Sequence, residues 1–111
     1  MGNRRYMMAV DLVDDPTLIQ EYEAYHKDVW PAIKKSITDA GVTVMDIYRF
    51  GNRLAMIMEV DESFSFERKG QMDTDNPTVQ EWEGLMSTYQ RAIPGAKANE
   101  KWVLMDKIFE L

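Results

Sequence analysis

Residues 42–60 read VTVMDIYRFGNRLAMIMEV, two runs of β-branched, aromatic and apolar residues on either side of Gly51-Asn52. A Gly-first two-residue turn between such runs marks a β-hairpin, because glycine reaches positive φ without steric cost. The spacing predicts strands over roughly 42–50 and 53–60, and the rest of the chain is arranged around them. Upstream, Gly41 closes a helical pattern with apolar residues at 18, 22, 25, 29, 30 and 33. That pattern starts at DDPT, where Asp15 can accept the free amide hydrogens of the first turn and Pro16 suits the first helical position. Before it, RYMMAVDL (5–12) turns Tyr6, Met8, Val10 and Leu12 to one face and reads as a strand.

Downstream, ESFSFERKGQ (62–71) reads as a short helix. At DNPT, Asn76 or Asp75 can cap and Pro77 opens the turn. Val79, Trp82, Met86, Tyr89 and Ile93 then follow on one helical face until Pro94-Gly95 stops it. KWVLMDKIFE (101–110) reads as the last strand. The order β-α-β-β-(α)α-β is the ferredoxin-like split βαβ pattern. It predicts an α+β fold, a four-stranded antiparallel sheet with helices on one face, and one domain over residues 1–111. The starts DDPTLIQEYE and DNPTVQEWE look alike, which shared capping chemistry explains better than an internal repeat. They place Tyr22 and Trp82 at similar points on two helices against one sheet.

The strands are apolar on both faces. Leu54-Ala55-Met56-Ile57-Met58 does not alternate, and Val103, Met105 and Phe109 back Trp102, Leu104 and Ile108. A sheet covered by helices on one side should be polar on the other. An apolar second face predicts a cover, most simply a second copy of the chain packed sheet against sheet.

Thirteen basic against nineteen acidic residues give a net charge of -6, which argues against nucleic-acid and anionic-membrane partners. Without cysteine there is no disulfide, thiolate metal site or cysteine nucleophile. No apolar run reaches the ~20 residues of a membrane span. The start, MGNRRYMM, lacks a signal peptide's apolar region, and Tyr6 stands where N-myristoylation needs Ser or Thr. A soluble, cytoplasmic protein is expected.

The single histidine lies in EYEAYHKDVWPAI (21–33), four residues after Tyr22 and four before Trp30. Pro31 cannot donate to the carbonyl of Lys27 and clashes with it, so the helix must kink or break near 27–31. An imidazole ordinarily titrates near 6.5 and can give or take a proton at neutrality. Tyr22 supplies a phenol on the same face, and Trp30 and Trp82 supply flat surfaces of the kind that stack on sugars. A lone helical histidine is more often structural than catalytic, so His26 is a candidate on these grounds and no more. Other signals are weaker. DTDN (73–76) lacks the later ligands of a calcium loop, and one His without Cys makes no zinc site. Most of the nine methionines fall on core faces, where gap filling accounts for them. Glu81 and Glu83 read as a solvated helix rim.

EYEAYHKDVWPAI resembles the H-x-x-[IV]-W-P segment of the L-rhamnose mutarotases. The similarity runs over nearly the whole chain, through the Tyr-x-x-x-His spacing, Trp-Pro, the Ile47-Tyr48 strand, the MEV strand end and the Trp82-x-x-x-Met86 helix. The resemblance implies a cytoplasmic homodimer, a dimeric α/β barrel of ferredoxin-like subunits. It also implies interconversion of the α and β anomers of a 6-deoxy sugar without metal or cofactor. His26 matches the family's proton donor, and Tyr22 and Trp82 match residues that touch substrate. Met45 stands where the family has a second substrate tyrosine, and Glu83 where it has a second tryptophan. Both join the candidate substrate-binding set, and they bring L-fucose into competition with L-rhamnose. Two alternatives share the architecture: a monooxygenase or haem-binding barrel with His26 on iron, and a non-catalytic dimeric binding module.

Overall fold

A computed structural model describes residues 4–98 and 100–111. The MGN start, on which the reading of the N-terminus partly rests, lies outside the described residues. The elements are β1 (Arg4–Leu12), α1 (Pro16–Lys27), α2 (Pro31–Asp39), β2 (Val42–Phe50), β3 (Arg53–Val60), α3 (Phe66–Thr74), α4 (Pro77–Ser87), β4 (Gln90–Arg91) and β5 (Val103–Leu104). The sheet is antiparallel in the order β2-β3-β1-β4, with β5 also on β1. This is the ferredoxin-like α+β fold.

The hairpin forms as its composition requires. Phe50 faces Arg53 across a turn in which Gly51 takes φ 60°. Gly41 is needed for space as well as for its φ of 99°, since a Cβ there would meet Asp61 Oδ1 and Ser63 Oγ at 2.6 Å. Helices α1 and α4 start alike. The Asp15 carboxylate accepts from the amides of Thr17 and Leu18, and the Asn76 side chain from those of Thr78 and Val79.

The helical pattern from 16 to 40 is broken, as Pro31 demands. Trp30, ahead of the proline, is extended with ψ 133°, and Pro31 opens α2 as its first residue. The carbonyl of Trp30 accepts from the amides of Ile33 and Lys34, which starts the new ladder. Three expectations need correction. The short helix spans 66–74 rather than 62–71, because the Ser65 hydroxyl caps it by accepting from the Arg68 amide. Helix α4 ends at Ser87, not Ile93, because Gln90 and Arg91 pair with the edge of β1 at Leu12 and Asp11. The last strand shrinks to Val103–Leu104 opposite Ala9 and Met8. After Met105, whose amide donates to the Met7 carbonyl, Ile108, Phe109 and Leu111 are exposed. The fourth strand position is thus shared by β4 and β5, both on β1.

One sheet face carries the core. Val10, Leu12, Leu54, Met56, Met58 and Val60 are buried beneath the helices with Tyr22, Ile33, Val79, Trp82 and Met86. Each such burial is worth about 1.5–3 kcal/mol. The opposite face pairs Met7 with Ile57 and Ala9 with Ala55, next to Tyr48. Met7, Tyr48 and Phe50 lie exposed there or at its rim. Among the described residues no helix is long and apolar enough to cross a membrane.

Candidate active site

Between the helices and the sheet opens a cavity of about 790 Å³, within the usual range for small-molecule sites. Tyr22, His26, Met45, Trp82 and Glu83 all line it. Residues as far apart in the chain as Tyr22 and Glu83 reach one cavity because α1 and α4 lie over the same sheet face.

His26 sits in the last turn of α1, half-buried. Its Nδ1 lies 2.9 Å from the backbone carbonyl of Tyr22. A carbonyl only accepts, so Nδ1 carries a hydrogen in both the neutral and the protonated ring. Nε2 is left for a ligand: it accepts when the ring is neutral and donates when it is charged. The Tyr22 ring lies 4.4 Å from the imidazole at 30°, and the Trp82 ring meets it edge-on at 5.7 Å. The imidazole is therefore held by one hydrogen bond and two aromatic walls.

Tyr22 is buried, and its hydroxyl accepts from Gln90 Nε2 at 3.3 Å. Burial pushes the phenol above its ordinary range, with the Gln90 bond opposing, so the hydroxyl stays protonated. Close by, Tyr89 donates to Glu21 Oε1 at 2.9 Å, and that bond with burial pushes its phenol up to about 12. Trp82 is only 8% exposed. Its ring packs edge-on against Tyr25 at 6.2 Å and Trp30 at 5.0 Å. Trp30 does not line the cavity as expected from its spacing. The helix break turns it behind Trp82, where it supports the wall. Met45, Ile47 and Met56 form an apolar floor from the sheet, met by Val79 and Met86 of α4.

Glu83 lines the cavity and Glu81 does not, since residues two apart on a helix face different ways. Burial raises the Glu83 carboxyl above the usual carboxylate range. The charge of Asp73 adds to this, and Lys69 opposes it. Lys69 is held by Asp73 at 2.6 Å, with both side chains largely covered. Gln90 and Lys69 are among the polar cavity residues that sequence reasoning missed. The apolar spacing carries Gln90 into a helix, and Lys69 falls within the short helix expected over 62–71; no local signal marks either. Among the described residues no group of three or more His, Cys, Asp or Glu side chains is placed to hold a metal.

The family model described as L-rhamnose mutarotase matches residues 5–111. An L-fucose mutarotase of Xanthomonas campestris is 39% identical over 113 residues, covering 100% of this chain and 90% of that protein. The crystal structure of an L-rhamnose mutarotase from Formosa agariphila matches with TM-score 0.72 and 20% identity, covering 97% of this chain and 98% of that one. The tetracenomycin F2 cyclase of Streptomyces glaucescens, a type-II polyketide cyclase, matches with TM-score 0.69 and 18% identity over 97% and 96%. At such identities the two structures speak to the fold alone.

Proposed function

This chain belongs to the L-rhamnose mutarotase family, and we propose that it opens and recloses a 6-deoxy hexose in the cavity, with His26 as the proton donor. It is a sugar mutarotase, an isomerase. Opening a hemiacetal requires a proton delivered to the ring oxygen and one removed from the anomeric hydroxyl; after rotation about C1–C2 the steps reverse. Protonated His26 donates from Nε2 to the ring oxygen. The Tyr22 hydroxyl, held by Gln90, orients the sugar, and Trp82 packs on its apolar side. Met45 offers a thioether surface to the C6 methyl group, and Glu83 contacts the polar rim of the sugar. A positioned acid or base contributes ~10²–10⁴-fold, enough for a reaction that already proceeds in water. The observation that supports this reading is the Nδ1 bond of His26 to the Tyr22 carbonyl, which leaves the other nitrogen of a cavity-lining ring free for a ligand.

Between the two sugars, the relative matching along the whole chain supports L-fucose, with L-rhamnose as the second substrate. The chain acts as one domain in the cytoplasm, as a homodimer. The exposed Met7, Tyr48 and Phe50 and the terminal Ile108, Phe109 and Leu111 support a partner copy on the open sheet face. The test is NMR saturation transfer between anomers of L-fucose and then of L-rhamnose. Wild type should accelerate exchange, and His26→Ala should return it to within a few-fold of the buffer rate while remaining folded. No acceleration of either sugar by wild type overturns the assignment.

A further inference from the structure

Ring opening needs a base as well as an acid, and His26 cannot be both in one step, because a single ring nitrogen is free. Besides His26, the titratable side chains lining the cavity are Tyr22, Lys34, Lys69, Lys101 and Glu83. Tyr22 is a phenol that burial holds protonated, and the lysines are cations at neutral pH. Glu83 is the single carboxylate among the described residues of the cavity wall. We propose that Glu83 is the catalytic base that takes the proton from the anomeric hydroxyl, on the far side of the reaction from His26.

The inference rests on the mutarotase reading and on three features of position. Glu83 comes from α4 and His26 from α1, so acid and base enter the cavity from separate elements. Glu83 directly follows Trp82, whose ring edge touches the imidazole, so its backbone is fixed against the acid. Among the described residues, no hydrogen bond or ion pair holds the Glu83 carboxylate. The nearby ammonium of Lys69 is engaged by Asp73, which leaves both Glu83 oxygens for a ligand. Asp73 and Lys69 of α3 are the charges that act on Glu83, and Lys34 of α2, Lys101 before β5 and His26 share its cavity. Glu83 is exposed, yet the partial desolvation of its carboxyl together with Asp73 outweighs Lys69, which raises its basicity above the usual carboxylate.

The step balances. The anomeric O–H bond breaks and its proton passes to a Glu83 oxygen, while its electron pair forms the C1=O bond. The bond from C1 to the ring oxygen breaks with its pair left on that oxygen, which takes the proton from His26 Nε2. After rotation about C1–C2 the ring oxygen attacks the other carbonyl face. His26 then recovers its proton and Glu83 returns the one it took, leaving the protein unchanged.

Three variants are measured by saturation transfer on the sugar that wild type accelerates: Glu83→Gln, Glu83→Asp and Glu83→Ala. The expected result for Glu83→Gln is a kcat lower by about 10²-fold or more, with KM within a few-fold and an unchanged or raised melting temperature. The loss of rate on acidification expected of wild type should be absent from its residual activity. Glu83→Asp should keep that acid limb at reduced kcat, and added formate should restore rate to Glu83→Ala in proportion to its concentration. Glu83→Gln within three-fold of wild-type kcat, or a change confined to KM, overturns the assignment and leaves His26 and the mutarotase reading intact. Should Glu83→Gln fail to fold, absence of formate rescue in Glu83→Ala decides against it. Wild type inert on both sugars overturns both readings.

Discussion

Removing the Trp82 ring tests the wall and the core together. In Trp82→Ala a side chain only 8% exposed disappears, with its edge contacts to Tyr25, His26 and Trp30. Truncating a fully enclosed Trp costs about 3–5 kcal/mol. Here one side of the ring borders an open cavity, so deletion enlarges existing space rather than sealing a new void, and the lower end applies, about 3 kcal/mol. For a chain of this length each kcal/mol moves the midpoint by about 4 °C, so the melting temperature should fall by about 12 °C. Stability typically totals about 5–15 kcal/mol, so the variant remains mostly folded at 25 °C and its exchange rate can be measured. That rate should fall too, because the imidazole loses one of its two aromatic walls. Trp82→Phe, which keeps an aromatic wall, should recover more than half of both losses. Melts by circular dichroism and saturation transfer on the same samples are the assay. A midpoint drop below about 4 °C would refute the burial argument, and an unchanged exchange rate in folded Trp82→Ala would refute its part in the site.

Two further outcomes follow from the same geometry. In an alkaline ultraviolet titration, Tyr22 and Tyr89 should ionise above the ordinary phenol range. Because both folded pKa values are raised, their contribution to stability is complete below about 10 and is lost as pH rises, for Tyr89 through about 12. Tyr89→Phe should remove the ionisation near 12, and its absence from wild type would contradict the Glu21 bond. On the open sheet face, Tyr48→Asp alters a side chain 62% exposed, so the isolated subunit should change by less than about 0.5 kcal/mol. Sedimentation should show the dimer of wild type reduced to a monomer, and a wild type already monomeric at micromolar concentration would refute the sheet-to-sheet pairing.

What the chain announces locally, it builds. The hairpin around Gly51-Asn52, the caps at Asp15 and Asn76 and the break at Pro31 each depend on neighbours a few positions away, and all appear where expected. The misreadings lie where distant partners decide. Tyr89 and Ile93 continue the apolar spacing of α4, so periodicity carries the helix past Ser87. Only the edge of β1, which Gln90 and Arg91 complete, explains why it stops. Likewise β5 pairs with just Met8 and Ala9 of β1, beside the Asp11 and Leu12 that β4 takes, a division of one edge that strand periodicity does not announce. In the site, the four-residue step from Tyr22 to His26 is visible on one helix face. Trp82 is legible as an aromatic plane on its own helix, Met45 and Glu83 enter through resemblance, and the fold brings all three to the same cavity. Gln90 and Lys69 could not be found that way, since each gains its place through contacts that no sequence interval encodes.

The tether from His26 Nδ1 to the Tyr22 backbone has a consequence for direction. A ring so anchored cannot swap its two nitrogens without giving up the bond, so in the proposed mechanism the nitrogen that releases a proton during opening is also the one that retrieves it on closure. The same arrangement then serves whichever anomer arrives, and a turnover ends with the protein in its starting ionisation state. No separate recovery stage and no proton borrowed from the buffer stands between one sugar and the next, which suits an equilibrium that must be relaxed equally from either side.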